Sequence, residues 1–225
     1  MFTSTAKATY YDSMNETEHT TLLEQLSDDA AQLIEHLRRS HAPRDAVTEV
    51  GQHIQKALKV LAPHLRQGQG WSTFSIASDT PGIAWKDDDL TACMPYSPVS
   101  GRRNPIAPPV RMWRNGNEVG GEAVFSPTYA GPPDSVHGGV IAAVFDELLS
   151  MANVITGVAG FTGTLSIRYH RKTPLDTPVE LWARNEKRQG RKLVCRGEFR
   201  VDGEVTATAE GLFIASAELE DRSSK

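Results

Sequence analysis

The sequence predicts an α+β fold, an antiparallel sheet with one long helix against one face and a helical extension ahead of it. Three observations lead there. The segment "PDSVHGGVIAAVFDELL", Pro133 to Leu149, has helical periodicity and is the only such segment among strand-like runs. Two strand-like runs precede it and four come after it, separated by turn residues at hairpin spacing. Strands grouped on either side of one helix, instead of alternating with several, read as α+β and not as a parallel α/β sheet.

Taken in order, residues 1–66 form the helical extension. Leu22, Leu23, Leu26, Ala30, Leu33, Ile34 and Leu37 recur every three or four positions. "SHAPRD" interrupts the pattern, and Val47, Val50, Ile54, Leu58 and Leu61 resume it, as in a helical hairpin packed on another part of the protein. The five histidines of this region have no carboxylate or cysteine at metal-ligand spacing and read as surface or packing residues. Residues 67–109 are a Pro- and Gly-rich connector, ending in "YSPVSGRRNPIAPP", expected to lie extended on the surface. Residues 110–217 are the main domain. Asn115-Gly116 joins its first two strands, and Gly190 and Asp202-Gly203 mark later hairpins. Strict alternation puts Leu165, Ile167 and Tyr169 on one face, opposite Thr164, Ser166 and Arg168. Val179, Leu181 and Ala183 alternate with Glu180, Trp182 and Arg184 in the same way. Residues 218–225 are a polar tail.

A net charge of −4 gives no basic field for nucleic acid. No apolar run reaches the length of a membrane span, and the first twenty residues hold no apolar signal core. Two cysteines, Cys93 and Cys195, make no disulfide framework, so the expected compartment is the reducing cytoplasm.

The long helix carries the chemistry. At about 100° per residue, Ile141, Val144, Leu148, Met151, Ala152 and Ile155 share an apolar side suited to a sheet. Gly139, Ala142, Ala143, Asp146, Ser150 and Asn153 form a strip of small residues opposite, with the carboxylate at its centre. Glycines weaken a helix by about 1 kcal/mol each, so Gly138 and Gly139 need a reason. Helix N-termini present unpaired N–H groups and the positive end of the dipole. With no side chains in the way, a polarised oxygen can approach. Oxyanion donors and a carboxylate facing one small-walled space suit acyl hydrolysis. The plainer reading keeps Gly138 and Gly139 for close packing and leaves Asp146 facing solvent. Glu147 lies off the strip's centre, towards its edge, and reads as a flanking salt-bridge or surface residue.

At "GPPDSVHGGVIAAVFDELL" and the strands after it, the chain resembles hot-dog-fold acyl-CoA thioesterases of the PaaI-like branch, over about half its length, from about Glu118 to Ser216. The resemblance rests on His-Gly-Gly with an aspartate nine residues after the histidine, and on Tyr169, Arg171, Pro174 and Leu175 ending the next strand. It implies a sheet wrapped round the central helix, homodimers or tetramers with active sites at the subunit interface, and a place in lipid metabolism. It implies that Asp146 is nucleophile or general base, that the helix start at His137, Gly138 and Gly139 polarises the thioester carbonyl, and that Thr162 assists, with Thr164 on the same strand face as the fallback. Arg171, Lys172, Arg188, Arg191 and Lys192 are candidates for the CoA phosphates. No metal or other cofactor is expected. A non-catalytic acyl-CoA-binding or regulatory protein on the same fold is the alternative; a carboxylate beside a thioester favours the enzyme.

Overall fold

The protein is described from a computed structural model, which covers residues 16–65 and 86–215. The start of the connector and the polar tail lie outside the described residues. Among the described residues, three helices, α1 (Glu16–Arg39), α2 (Arg44–Leu61) and α3 (Gly138–Val154), accompany six strands. These are β1 (Val110–Asn115), β2 (Glu118–Val124), β3 (Gly160–Tyr169), β4 (Pro178–Gln189), β5 (Lys192–Val201) and β6 (Glu204–Ala215). They form one antiparallel sheet in the order β1-β2-β4-β5-β6-β3, so β3 is an edge strand with no strand on its outer side among the described residues. The β5–β6 turn is the two-residue hairpin that Asp202-Gly203 predicts, with positive φ at both (51° and 78°).

α3 lies on the sheet and buries Ile141, Val144, Phe145, Leu148, Leu149 and Met151. Phe145 meets Phe199 of β5 with ring centroids 4.2 Å apart. Val179, Leu181 and Ala183 of β4 are buried on the same side. Two glycines set how closely the helix settles. A Cβ on Gly197 of β5 would stand 3.0 Å from Leu149 Cδ2, and one on Gly211 of β6 would stand 3.0 Å from Leu149 Cδ1. Leu149 thus fills a hollow floored by bare backbone on two neighbouring strands.

Three bulges break the strict alternation read from the sequence, one each in β3, β4 and β6; in β4, Asn185 pairs with Cys195 but Lys187 with Val194, so Glu186 is the extra residue. In β3, Thr162 pairs with Phe213 but Thr164 with Leu212, so Gly163 is an extra residue. One inserted residue turns the rest of the strand over, so later side chains change face. Thr162 therefore points to the helix side with buried Phe213, and Thr164 to the outer side. The expectation that the two share a face is corrected by this bulge. In β6, Phe199 pairs with Ala207 but Arg200 with Val205, which makes Thr206 the extra residue.

The connector is more than a surface strap. Its described part carries a short 3-10 turn, Leu90–Cys93, and sends Leu90 and Met94 into the core. The extension is unevenly packed. α1 meets the turn at Pro127–Tyr129, and Arg103 donates to Thr20 Oγ1 at 2.9 Å. α2 buries no residue, and Val47, Val50, Leu58 and Leu61 along it are exposed. No helix among the described residues is long and apolar enough to cross a membrane.

The Leu149 seat makes a direct prediction. A Cβ on Gly197 would also come within 2.9 Å of the Trp182 carbonyl oxygen, which belongs to the ladder and cannot yield as a side chain can. Gly197→Ala is expected to cost about 1–3 kcal/mol through overpacking. Urea titration should show a lower midpoint with an unchanged slope.

Candidate functional site

The start of α3 is tied down on several sides. His137 is the N-cap, with φ −63° and ψ 131°, and its Nδ1 accepts from the Gly139 N–H at 2.9 Å. The His137 N–H donates to Tyr129 O at 2.9 Å, and the Val136 N–H donates to Thr173 O at 2.9 Å. From β3, the Tyr169 hydroxyl donates to the Gly138 carbonyl oxygen at 2.8 Å. The two glycine N–H groups therefore differ. Gly139's is engaged by the cap, whereas among the described residues no acceptor meets Gly138's. His137 acts on the helix start through this cap.

Packing does not demand glycine at 138. A Cβ there would meet nothing closer than the Tyr169 Oη at 3.4 Å, an ordinary contact, and φ there is not positive. Glycine at this position leaves room for something else to approach the N–H.

Asp146 is half-buried, two turns along the helix, and its Oδ1 accepts from Thr162 Oγ1 at 2.7 Å. Ala142, Ala143 and Ser150 beside it are uncovered or partly so. Asn153, read as the end of this strip, is instead fully buried. Its Oδ1 accepts from Asn185 Nδ2 at 2.7 Å and from the Cys195 thiol at 2.9 Å. The sheet closes round the last turns of α3, where β4 and β5 supply these polar partners. Burial pushes the Cys195 thiol up to about 12.

Glu147 departs furthest from expectation. It is neither a surface residue nor, among the described residues, an ion-pair partner. Ser97 Oγ and Ser100 Oγ of the connector both donate to its carboxylate. Ser97 Oγ in turn accepts the Val99 N–H at 3.0 Å. Burial raises the Glu147 pKa above its ordinary 4.5; the two serine hydroxyls pull the other way, and the charge of Asp146 adds to the rise. Nothing local in the sequence signals this contact, since the serines lie 50 and 47 positions away.

The basic candidates divide between two ends of the sheet. Arg171 is ion-paired with Glu204, and Lys172 Nζ donates to Pro133 O at 3.1 Å, just before the helix start. Arg191 Nε donates to Ala215 O at 3.2 Å, and Arg188 Nε to Gly190 O at 3.3 Å. Ala215 pairs with Gly160, so Arg188, Arg191 and Lys192 sit near the far end of β3. That strand has 10 residues, and at about 3.3 Å per residue its ends are about 30 Å apart. One chain does not gather these cations at one mouth. No group of three His, Cys, Asp or Glu among the described residues is arranged to hold a metal ion.

The Glu147 contact predicts a pH effect on stability. A carboxyl whose folded pKa is raised contributes stability that is complete below its unfolded pKa and is lost as pH rises through the folded value. Glu147→Gln keeps the shape and cannot ionise. Melting temperatures of the variant and the parent protein, taken from pH 4 upward, should shift in favour of the variant as pH climbs past about 4.5. A difference independent of pH would contradict it.

Comparison with known proteins agrees in one direction. A family model described as thioesterase superfamily matches residues 134–208, the span from just before α3 into β6. The crystal structure of protein RHA08564, described as a thioesterase superfamily protein, superposes with a TM-score of 0.73 at 30% identity, covering 85% of this chain and 94% of that one. The acyl-coenzyme A thioesterase THEM5 of Homo sapiens is 34% identical over 95 residues. That match covers 41% of this chain and spans 38% of the human protein's length.

Proposed function

This chain belongs to the thioesterase superfamily, and from that premise we propose that it hydrolyses the thioester of an acyl-CoA to free acid and CoA. The observation that carries the proposal is a half-buried Asp146 held by Thr162 on the helix whose first N–H, at Gly138, has no acceptor among the described residues. A helix N-terminal N–H stabilises the negative charge that develops on the carbonyl oxygen. The Asp146 carboxylate then attacks the carbonyl carbon, or takes a proton from the water that does. In the first route the C–S bond breaks as a mixed anhydride with Asp146 forms, and water then cleaves that anhydride to the free acid; in the second the water oxygen bonds the carbonyl carbon directly as the C–S bond breaks. In both, CoA leaves as the thiolate and takes up the proton that the water releases. Thr162 orients the carboxylate by donating to it and makes no bond to substrate carbon. The same reading places the protein in the PaaI-like branch, in lipid metabolism and, with both cysteines free, in the cytoplasm.

The reading includes a homodimer, and helix geometry supports it. Gly138 and Asp146 are eight residues apart, about 12 Å along the axis. The tilt of side chains toward the N-terminus shortens this, yet both groups must come within about 3 Å of one carbonyl. One chain's pair does not span that gap comfortably. Two helices antiparallel across a two-fold axis set Gly138 of one chain beside the partner's Asp146. Pairing β3 with the partner's β3 would close its free edge. It would also bring the partner's Arg188, Arg191 and Lys192 toward this chain's helix start.

Substitutions test both the chemistry and the shared site. With one good acyl-CoA and a thiol reagent, Asp146→Asn should lower kcat by about 10²–10⁴ or more, Thr162→Ala by less, and Glu147→Gln least, with the fold intact in each. Equal rates for Asp146→Asn and an active parent protein would remove Asp146 from the chemistry, whereas a parent that binds acyl-CoA without hydrolysing it would leave a binding protein. The shared site is tested with Gly138→Pro. Proline is tolerated at the first helical position and removes only the N–H. Asp146→Asn and Gly138→Pro should each be inactive alone. When mixed one to one with subunit exchange they should regain about a quarter of the parent activity, because half of the dimers then hold one intact shared site. No recovery despite exchange would place both groups of each site on one chain.

A further inference from the structure

The peptide unit between Gly138 and Gly139 is gripped at both ends. Its N–H donates to His137 Nδ1 at 2.9 Å, and its carbonyl oxygen accepts from the Tyr169 hydroxyl at 2.8 Å. A peptide unit is planar, so two contacts at opposite ends fix its orientation. Glycine has the widest backbone freedom of any residue, and two in succession at a helix terminus favour fraying. His137 is local to the turn, but Tyr169 reaches it from β3 and belongs to a different element. β3 is also the strand whose Thr162 holds Asp146. The tyrosine is half exposed and takes no part in the core, so hydrophobic burial does not account for its placement.

We propose that Tyr169 is a positioning residue for thioester hydrolysis, holding the first turn of α3 so that the Gly138 N–H keeps the direction an oxyanion requires. This rests on the hydrolase reading above. Tyr169 makes no bond to substrate carbon and transfers no proton; it acts through the Gly138–Gly139 peptide. Because β3 carries both Tyr169 and Thr162, one strand aligns the carbonyl-binding end of the helix and its carboxylate.

Tyr169→Phe tests this by deleting one hydroxyl and keeping the ring. The expected result is a kcat about 10-fold lower with KM within about twofold, because the lost alignment matters where negative charge develops. Melting temperature should be nearly that of the parent. In double variants, Tyr169→Phe and His137→Ala should lose less kcat together than the product of their separate losses, since both loosen the same peptide. A readout independent of turnover is amide hydrogen exchange. Tyr169→Phe should speed exchange at Gly139 and leave the Leu149 amide, deep in the helix, unchanged. The inference is overturned if kcat is that of the parent protein, if the whole loss falls in KM, or if Gly139 exchange does not change. A parent protein with no activity on any acyl-CoA would instead remove the hydrolase reading, and the exchange result would still show whether Tyr169 holds the turn.

Discussion

The depth at which α3 sits on the sheet governs the rest of this domain. Leu149 reaches into a hollow where Gly197 and Gly211 offer no side chains, and Phe145 stacks on Phe199 four residues away. Interiors pack at crystal-like density, so a helix seated this closely cannot roll or lift without opening a void. Side chains on its flanks are then delivered to fixed neighbours: Asp146 to β3, Asn153 to β4 and β5, Glu147 to the connector.

The adjacent carboxylates show what that placement does. Asp146 and Glu147 differ by one residue, about 100° of helix rotation. One stays partly open and accepts a single hydroxyl from Thr162. The other is turned inward against Ser97 and Ser100, where burial disfavours its charged form. Environment separates two similar acids into one left reachable at the helix surface and one that anchors a segment. The anchored segment also carries Leu90 and Met94 into the core, so the connector is part of the domain's packing.

β3 joins three properties in one strand. It is an edge strand, it has a bulge at Gly163, and it supplies two side chains that hydrogen-bond α3, Thr162 to Asp146 and Tyr169 to the Gly138 carbonyl. Bulges re-aim side chains, and this one allows Thr162 to face the helix while Leu165 and Ile167 further along keep their own contact with the core. If β3 is also the seam between two copies, as the proposed function holds, assembly and alignment of the catalytic groups depend on the same strand.

Much of this was legible in the chain. The α+β class, the six strands, the single central helix, its apolar face and the hairpin at Asp202-Gly203 come from periodicity and turn chemistry, which are local properties of consecutive residues. The prominence of Gly138, Gly139 and Asp146 was legible for the same reason, because glycines and a carboxylate contradict the helix that contains them. Only the tertiary structure decided the contacts between residues far apart in sequence and the events that break a period. No local pattern announces that Glu147 meets serines of the connector, or that Tyr169 reaches back to the Gly138 carbonyl. The bulge at Gly163 is a third case: strict alternation puts Thr162 and Thr164 on one face, and only pairing with β6, where one strand must absorb an extra residue, turns them to opposite faces.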